Sequence, residues 1–230
     1  MIPLQDNIPT RSTPFITVAF IALCVLVFLW QLSLGPAVEL AVYRYGAIPA
    51  ALFGIQQLPA EVAVIPNWAT LVTSMFMHGG WMHLIGNMLY LWIFGNNVED
   101  SMGHGRFIVF YILCGLAAAF SHAIPNAQSV VPMIGASGAI SGVLGAYLLL
   151  YPRAQILVAI PIFFYLHIAR IPAAIVLVLW FVLQLLSSAG PQQEAGVAFG
   201  AHIGGFIAGL VLIPLFKRRN VGFFGRGRRY

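Results

Sequence analysis

Six apolar runs divide the 230-residue chain, at roughly 14–34, 79–98, 107–124, 134–151, 171–189 and 200–216. A helix rises 1.5 Å per residue, so crossing a hydrocarbon core about 30 Å thick takes about 20 mainly apolar residues. Each run is of that order. Only 7% of the residues are charged and 60% are hydrophobic, where a soluble domain carries about 25% charge. Such a chain cannot clothe itself in a wettable surface. It reads as an all-α integral membrane protein with one six-helix domain over 14–216. A short segment, 1–13, precedes the domain and a basic tail, 217–230, follows it. The first run is too long for the apolar part of a signal peptide and is followed by more spans, so no cleavable signal is evident.

Basic residues set the orientation, because cytoplasmic connections collect Lys and Arg. With the N-terminus inside, Arg11, Arg106, Arg153, Arg170, Lys217, Arg218, Arg219, Arg226, Arg228 and Arg229 are cytoplasmic, and only Arg44 faces out. Both termini are therefore expected inside. The long connection 35–78 becomes an outer loop, and its prolines and aromatics suggest a loop partly sunk into the interface. Residues 155–168 are apolar too, but Pro161 and their short length argue for an interfacial segment rather than a seventh span. The formal charge of +5 comes largely from the tail. That suits anionic headgroups rather than nucleic acid, since no folded basic domain accompanies it.

This topology lets depth be counted. Spans two, four and six all run inward. His83 lies 16 residues before Glu99, Ser137 lies 16 before Arg153, and His202 lies 15 before Lys217. Each sits roughly 22–24 Å above the inner edge. Asn87 follows His83 by four residues and projects from the same face, one turn deeper. A polar residue at such depth is costly unless it meets a partner or a water-filled cavity, which makes it a functional candidate. Any one of the four could be satisfied by a neighbouring helix. Four at matching depth on three helices imply a shared site.

The residue types fit acyl transfer. A serine hydroxyl is a weak nucleophile until a base takes its proton, and His202 is the available base for Ser137. His83, Asn87 and the Ser137 backbone N–H can serve as oxyanion donors. The acidic residue nearest in sequence, Glu194, falls in an outer loop, so the expectation is a Ser–His dyad without a carboxylate. Gly135 and Gly138 flank the serine and permit close approach. Gly138, Gly142 and Gly145 on span four, with Gly200, Gly204, Gly205 and Gly209 on span six, form small-residue faces that bring backbones together.

The remaining histidines, His78, His104, His122 and His167, lack metal-ligand spacing, and no carboxylate lies inside a span. His78 closes the outer loop near the site. Cys24 and Cys114 sit in apolar runs and read as small core residues. No metal or cofactor is expected.

These residues resemble the rhomboid family of intramembrane serine proteases. The resemblance rests on His78-Gly79-Gly80-Trp81-Met82-His83-Leu84-Ile85-Gly86-Asn87-Met88, on Phe94-Gly95, Val98-Glu99 and Gly103, on Gly135-Ala136-Ser137-Gly138, and on Ala201-His202-Ile203-Gly204-Gly205. It covers about two thirds of the chain. It implies a six-transmembrane-helix rhomboid bundle with Ser137 as nucleophile, His202 as general base, and His83 and Asn87 at the oxyanion site. It also implies no cofactor, and substrates that are single-span transmembrane proteins cut at small residues. Two positions depart from the family pattern. Ser141 stands where many relatives have an aromatic packing on the catalytic histidine, which leaves the support of His202 open. Trp68 is followed by Ala69 rather than Arg.

The expected setting is a bacterial inner membrane, with the site toward the outer side and membrane lipids and substrate helices as partners. The connection 191–199 and span five form the expected movable cover. A transporter would continue its polar path to the inner side, and these spans offer almost no polar residues there. A non-catalytic rhomboid-like membrane-protein binder is the alternative that keeps the same fold.

Overall fold

Every one of the six apolar runs is helical. The computed structural model describes residues 1–162, 164–188 and 198–225. In chain order it comprises strand β1 (Ile2–Gln5), α1 (Phe15–Ser33), α2 (Val38–Tyr45), α3 (Pro49–Leu52), α4 (Asn67–Thr73), α5 (Trp81–Tyr90) and α6 (Asn96–Met102). There follow α7 (His104–Ala123), α8 (Ser137–Leu150), β2 (Gln155–Ile162), β3 (Tyr165–Pro172), α9 (Ala173–Ser188) and α10 (Phe199–Phe216). By length and apolarity α1, α7 and α10 can each cross a bilayer, while α8 and α9 are shorter apolar helices. The second run is one rod made of α5, a π turn over Leu91–Gly95, and α6.

Two glycines explain where run boundaries differ from helix boundaries. Gly103, at φ +89°, breaks the chain between α6 and α7 in a single residue, so α7 starts earlier than its apolar run. Gly135, at φ +126°, ends the irregular segment before α8, which begins at Ser137 itself.

The chain is not purely α-helical, and here the sequence reading needs correction. The segment 155–168 belongs to a β-hairpin, and β1 joins it in an antiparallel sheet of order β1-β2-β3. Ile2 pairs with Ala159, and β2 pairs with β3 from Gln155–Pro172 to Ile162–Tyr165. Ile156 and Val158 on β2 are buried against the bundle, whereas Leu166 and Ile168 are exposed. Because apolar residues occupy both faces, the period-2 alternation that reveals a half-solvated strand was missing from the sequence. The sheet also places the N-terminal segment and the α8–α9 connection on one side of the bundle.

Carboxylates at the end of α6 fasten that N-terminal segment. Pro14 precedes α1 and supplies no side-chain cap. Instead the buried Glu99 accepts from the N–H groups of Ile16 and Thr17 (3.0 and 2.8 Å) and from the Thr17 hydroxyl (2.6 Å). These are amides a helix leaves unpaired in its first turn. Asp100 accepts from the N–H of Ser12 and from its hydroxyl, and Asp6 accepts from Asn97 Nδ2 and Tyr147 Oη. Glu99→Ala strands several buried donors at once and is expected to cost about 3 kcal/mol or more of stability. Glu99→Gln keeps one acceptor oxygen and is expected to lose less. Denaturant unfolding in micelles measures both, and an unchanged midpoint for Glu99→Ala rules out the capping role.

The connection 35–78 is more ordered than a loop. It is built of α2, α3 and α4, with Ala47, Ile48, Ala50 and Ala51 buried. Ala47 and Met133 exchange backbone hydrogen bonds at 3.0 and 2.8 Å, and the Gly135 N–H donates to Ser74 O at 2.9 Å. The connection thereby pins the residues that lead into Ser137. Residues 217–225 of the tail fold back onto the bundle. The N–H groups of Phe224 and Gly225 donate to the Leu149 and Leu150 carbonyls at the end of α8. Lys217 Nζ donates to Val221 O and lies 4.9 Å from the Phe223 ring centre. Arg226, Arg228 and Arg229 lie outside the described residues.

Candidate active site

Close contact between α8 and α10 creates the site. A Cβ added at Gly205 would overlap the Gly138 carbonyl oxygen, and one at Gly209 would overlap that of Gly142. Only glycines allow backbones this near, and nearness lets the short serine side chain reach the histidine. Ser137 is the first residue of α8, and His202 lies in the first turn of α10. The Ser137 hydroxyl donates to His202 Nε2 at 2.8 Å.

The far side of the ring holds a residue that depth counting missed. His202 Nδ1 donates to Gln184 Oε1, on α9, at 2.7 Å. Trp180, one turn earlier on α9, lies 5.9 Å from the His202 ring centre, and Phe199 meets it edge-on at 6.3 Å. The Ser141 hydroxyl donates to the Ser137 carbonyl within α8 at 2.6 Å.

His83 approaches Ser137 from α5. Its Nδ1 accepts the Gly79 N–H at 3.3 Å, so in the neutral ring Nε2 carries the proton. A Cβ at Gly135 would sit 2.7 Å from that Nε2 and 3.7 Å from Ser137 Oγ. Glycine at 135 is thus required twice, by its left-handed φ and by the imidazole lying over it. Asn87 is buried one turn along α5, and its Nδ2 makes no hydrogen bond among the described residues. A buried unpaired donor is costly unless something else pairs with it.

His78 is held by its backbone. Gln31 on α1 accepts its N–H at 3.0 Å and donates to its carbonyl at 3.1 Å, and its ring meets that of His83 edge-on at 5.1 Å. Gln31, like Gln184, was not foreseen. Among the described residues no group of three His, Cys, Asp or Glu side chains could hold a metal ion. Residues 191–197 of the expected cover lie outside the described residues.

A family model of the rhomboid domain matches residues 66–219, about two thirds of the chain and every residue of the Ser137 site described above except Gln31. The chain belongs to the rhomboid family. The similarity extends to rhomboid protease GluP of Bacillus subtilis, 30% identical over 94% of this chain and 38% of that protein. RHOMBOID-like protein 5 of Arabidopsis thaliana is 29% identical over 62% of this chain and 43% of its own length. Rhomboid protein 1, mitochondrial, of Saccharomyces cerevisiae is 33% identical over 50% of this chain and 38% of its own. The chain thus spans less than half the length of each of these relatives. Rhomboid membership and the apolar helices together make this a membrane protein.

Proposed function

We propose that this rhomboid protein is an intramembrane serine endopeptidase acting on transmembrane protein substrates. The observation that carries the proposal is the 2.8 Å hydrogen bond from Ser137 Oγ to His202 Nε2, made at the start of a helix within an apolar bundle. His202 takes the hydroxyl proton as Oγ attacks the scissile carbonyl carbon, then gives that proton to the departing amine. Water repeats the sequence on the acyl-enzyme and regenerates Ser137. The oxyanion accepts from the Ser137 N–H, His83 Nε2–H and Asn87 Nδ2. As the first residue of α8, Ser137 has an N–H with no intrahelical acceptor, and the helix dipole favours negative charge there. A substrate helix must unwind before its carbonyl can be attacked, so small or helix-breaking residues near the cut favour cleavage.

The topology proposed with it has six spans, both termini on the basic, cytoplasmic side, and the site nearer the opposite surface. Hydrogen bonding of β1 to β2 supports it, because an even number of crossings must separate them. The relatives' names include a mitochondrial protein, so this orientation is not tied to a bacterial inner membrane.

Purified protein in lipid vesicles tests the reading. A serine-directed fluorophosphonate is expected to label wild type but not Ser137→Ala, and only wild type is expected to cleave a panel of single-span substrates. Equal cleavage by the two proteins sinks the proposal. Wild type that neither labels nor cleaves favours the non-catalytic binder.

A further inference from the structure

We propose that Gln184 is a positioning residue for His202, fixing the imidazole tautomer and ring angle that make Nε2 a base. The proposal rests on the protease reading above and adds a third member on a third helix. A neutral imidazole carries one proton on either of two nitrogens. Gln184 Oε1 can only accept, so at 2.7 Å it holds that proton on Nδ1. The Nε2 lone pair is then aimed at Ser137 Oγ, 2.8 Å away. In the opposite tautomer Nε2–H would donate to the serine and could not take its proton.

An amide does this differently from a carboxylate. It orients the ring and offers a dipole, but adds no net charge to stabilise the imidazolium. The described carboxylates lie elsewhere: Asp6, Glu99 and Asp100 near the start of α1 and the end of α6, and Glu39 and Glu61 in the connection 35–78. The titratable groups facing His202 are His83 from α5 and His122 from α7, besides Ser137 from α8. A neutral orienter suits this depth, where an ionised side chain is costly.

The location on α9 has a mechanical consequence. The buried residues of α9, Ala173, Val176 and Leu177, all belong to its first half. From Trp180 onward it leans on α10 through a stack of Phe181 on Phe206 at 4.5 Å, the Trp180 ring and the Gln184 bond. Ser137 and His202 instead sit on two helices in backbone contact. The base is therefore set only while α9 lies against α10. A displacement of about 1 Å lengthens the 2.7 Å bond beyond hydrogen-bonding range.

The test uses the full chain in lipid vesicles with a substrate whose cleavage requires Ser137, measuring kcat and KM across pH. Gln184→Leu is expected to lower kcat about 10–100-fold, with KM changed by no more than about threefold, since loss of a tautomer-setting partner acts on the chemical step. Gln184→Glu, which keeps shape and acceptor, is expected to restore most of that kcat at high pH. It is also expected to move the acid limb of the rate profile up by about one to two pH units, because a neighbouring carboxylate stabilises the imidazolium. A Gln184→Leu enzyme within twofold of wild-type kcat overturns the proposal, as does a Gln184→Glu enzyme with the wild-type acid limb. If Gln184→Leu does not fold, the limb of Gln184→Glu decides alone. Ser137-dependent cleavage with wild-type behaviour of the Gln184 variants removes only the positioning role. Absence of Ser137-dependent cleavage in wild type removes the protease reading and this role with it.

Discussion

His202→Ala is expected to lower kcat on the order of 10⁴- to 10⁶-fold while leaving KM nearly unchanged. The imidazole is the only base within hydrogen-bonding distance of Ser137 Oγ among the described residues. Without it the hydroxyl has only water to take its proton, a far weaker base than imidazole. In hydrolases of this type, removing the histidine costs about as much as removing the serine, because the two act as a unit. The double variant Ser137→Ala/His202→Ala is accordingly expected to be no slower than either single variant. Turnover of a single-span reporter in vesicles, with thermal unfolding as the control for structure, measures this. A His202→Ala enzyme within tenfold of wild type rules out the general-base role.

The residues that meet at the site were legible in uneven degree. Ser137, His202 and His83 stood out because each is polar and lies 15–16 residues before a charge that follows its apolar run, with Asn87 one turn beyond His83. Gln184 was open to a similar reading, since it is a lone amide in an apolar run, 14 residues after Arg170. Its signal is weak because an amide is neither the acidic nor the aromatic partner that a catalytic histidine ordinarily suggests. Gln31 is likewise a lone amide in an apolar run, and the same rule on polar residues inside spans points to it.

Ser141 departs from the family pattern four residues after Ser137. A serine in mid-helix readily bonds the carbonyl four residues back, and here it does so. Glu99 served as a depth marker, whereas its structural work is to cap α1. A cap supplied from another helix leaves no local trace in sequence. The β-sheet was hidden for the reason given by its two apolar faces. Helix existence was readable from length and apolarity, while helix ends were decided by Gly103 and Gly135, whose unusual φ angles sequence alone does not reveal.

Gly205→Ala is the variant expected to damage the fold most for the smallest chemical change. In a helix interior, alanine is ordinarily better than glycine by about 1 kcal/mol, so propensity alone predicts a gain. The structure predicts the reverse. A Cβ at 205 would overlap the Gly138 carbonyl oxygen, with the carbonyl carbon 3.0 Å away and Ala118 Cβ at 3.4 Å. Those obstacles include backbone, which cannot rotate aside. α8 and α10 must separate, and forced overpacking of this kind costs about 3 kcal/mol or more when backbone has to move.

Activity is expected to fall further than stability. The same separation draws Ser137 from His202, and misplacement by about 1 Å can cost about 100-fold in rate. Gly200→Ala on the same helix is the internal control, because the nearest atoms to its added Cβ lie 3.6–3.7 Å away, at ordinary contact distance. It is expected to melt and cleave like wild type. Thermal unfolding and initial cleavage rates of the two variants, side by side, decide the matter. Should Gly205→Ala match Gly200→Ala in both, the backbone contact between α8 and α10 is not what brings the serine to its histidine.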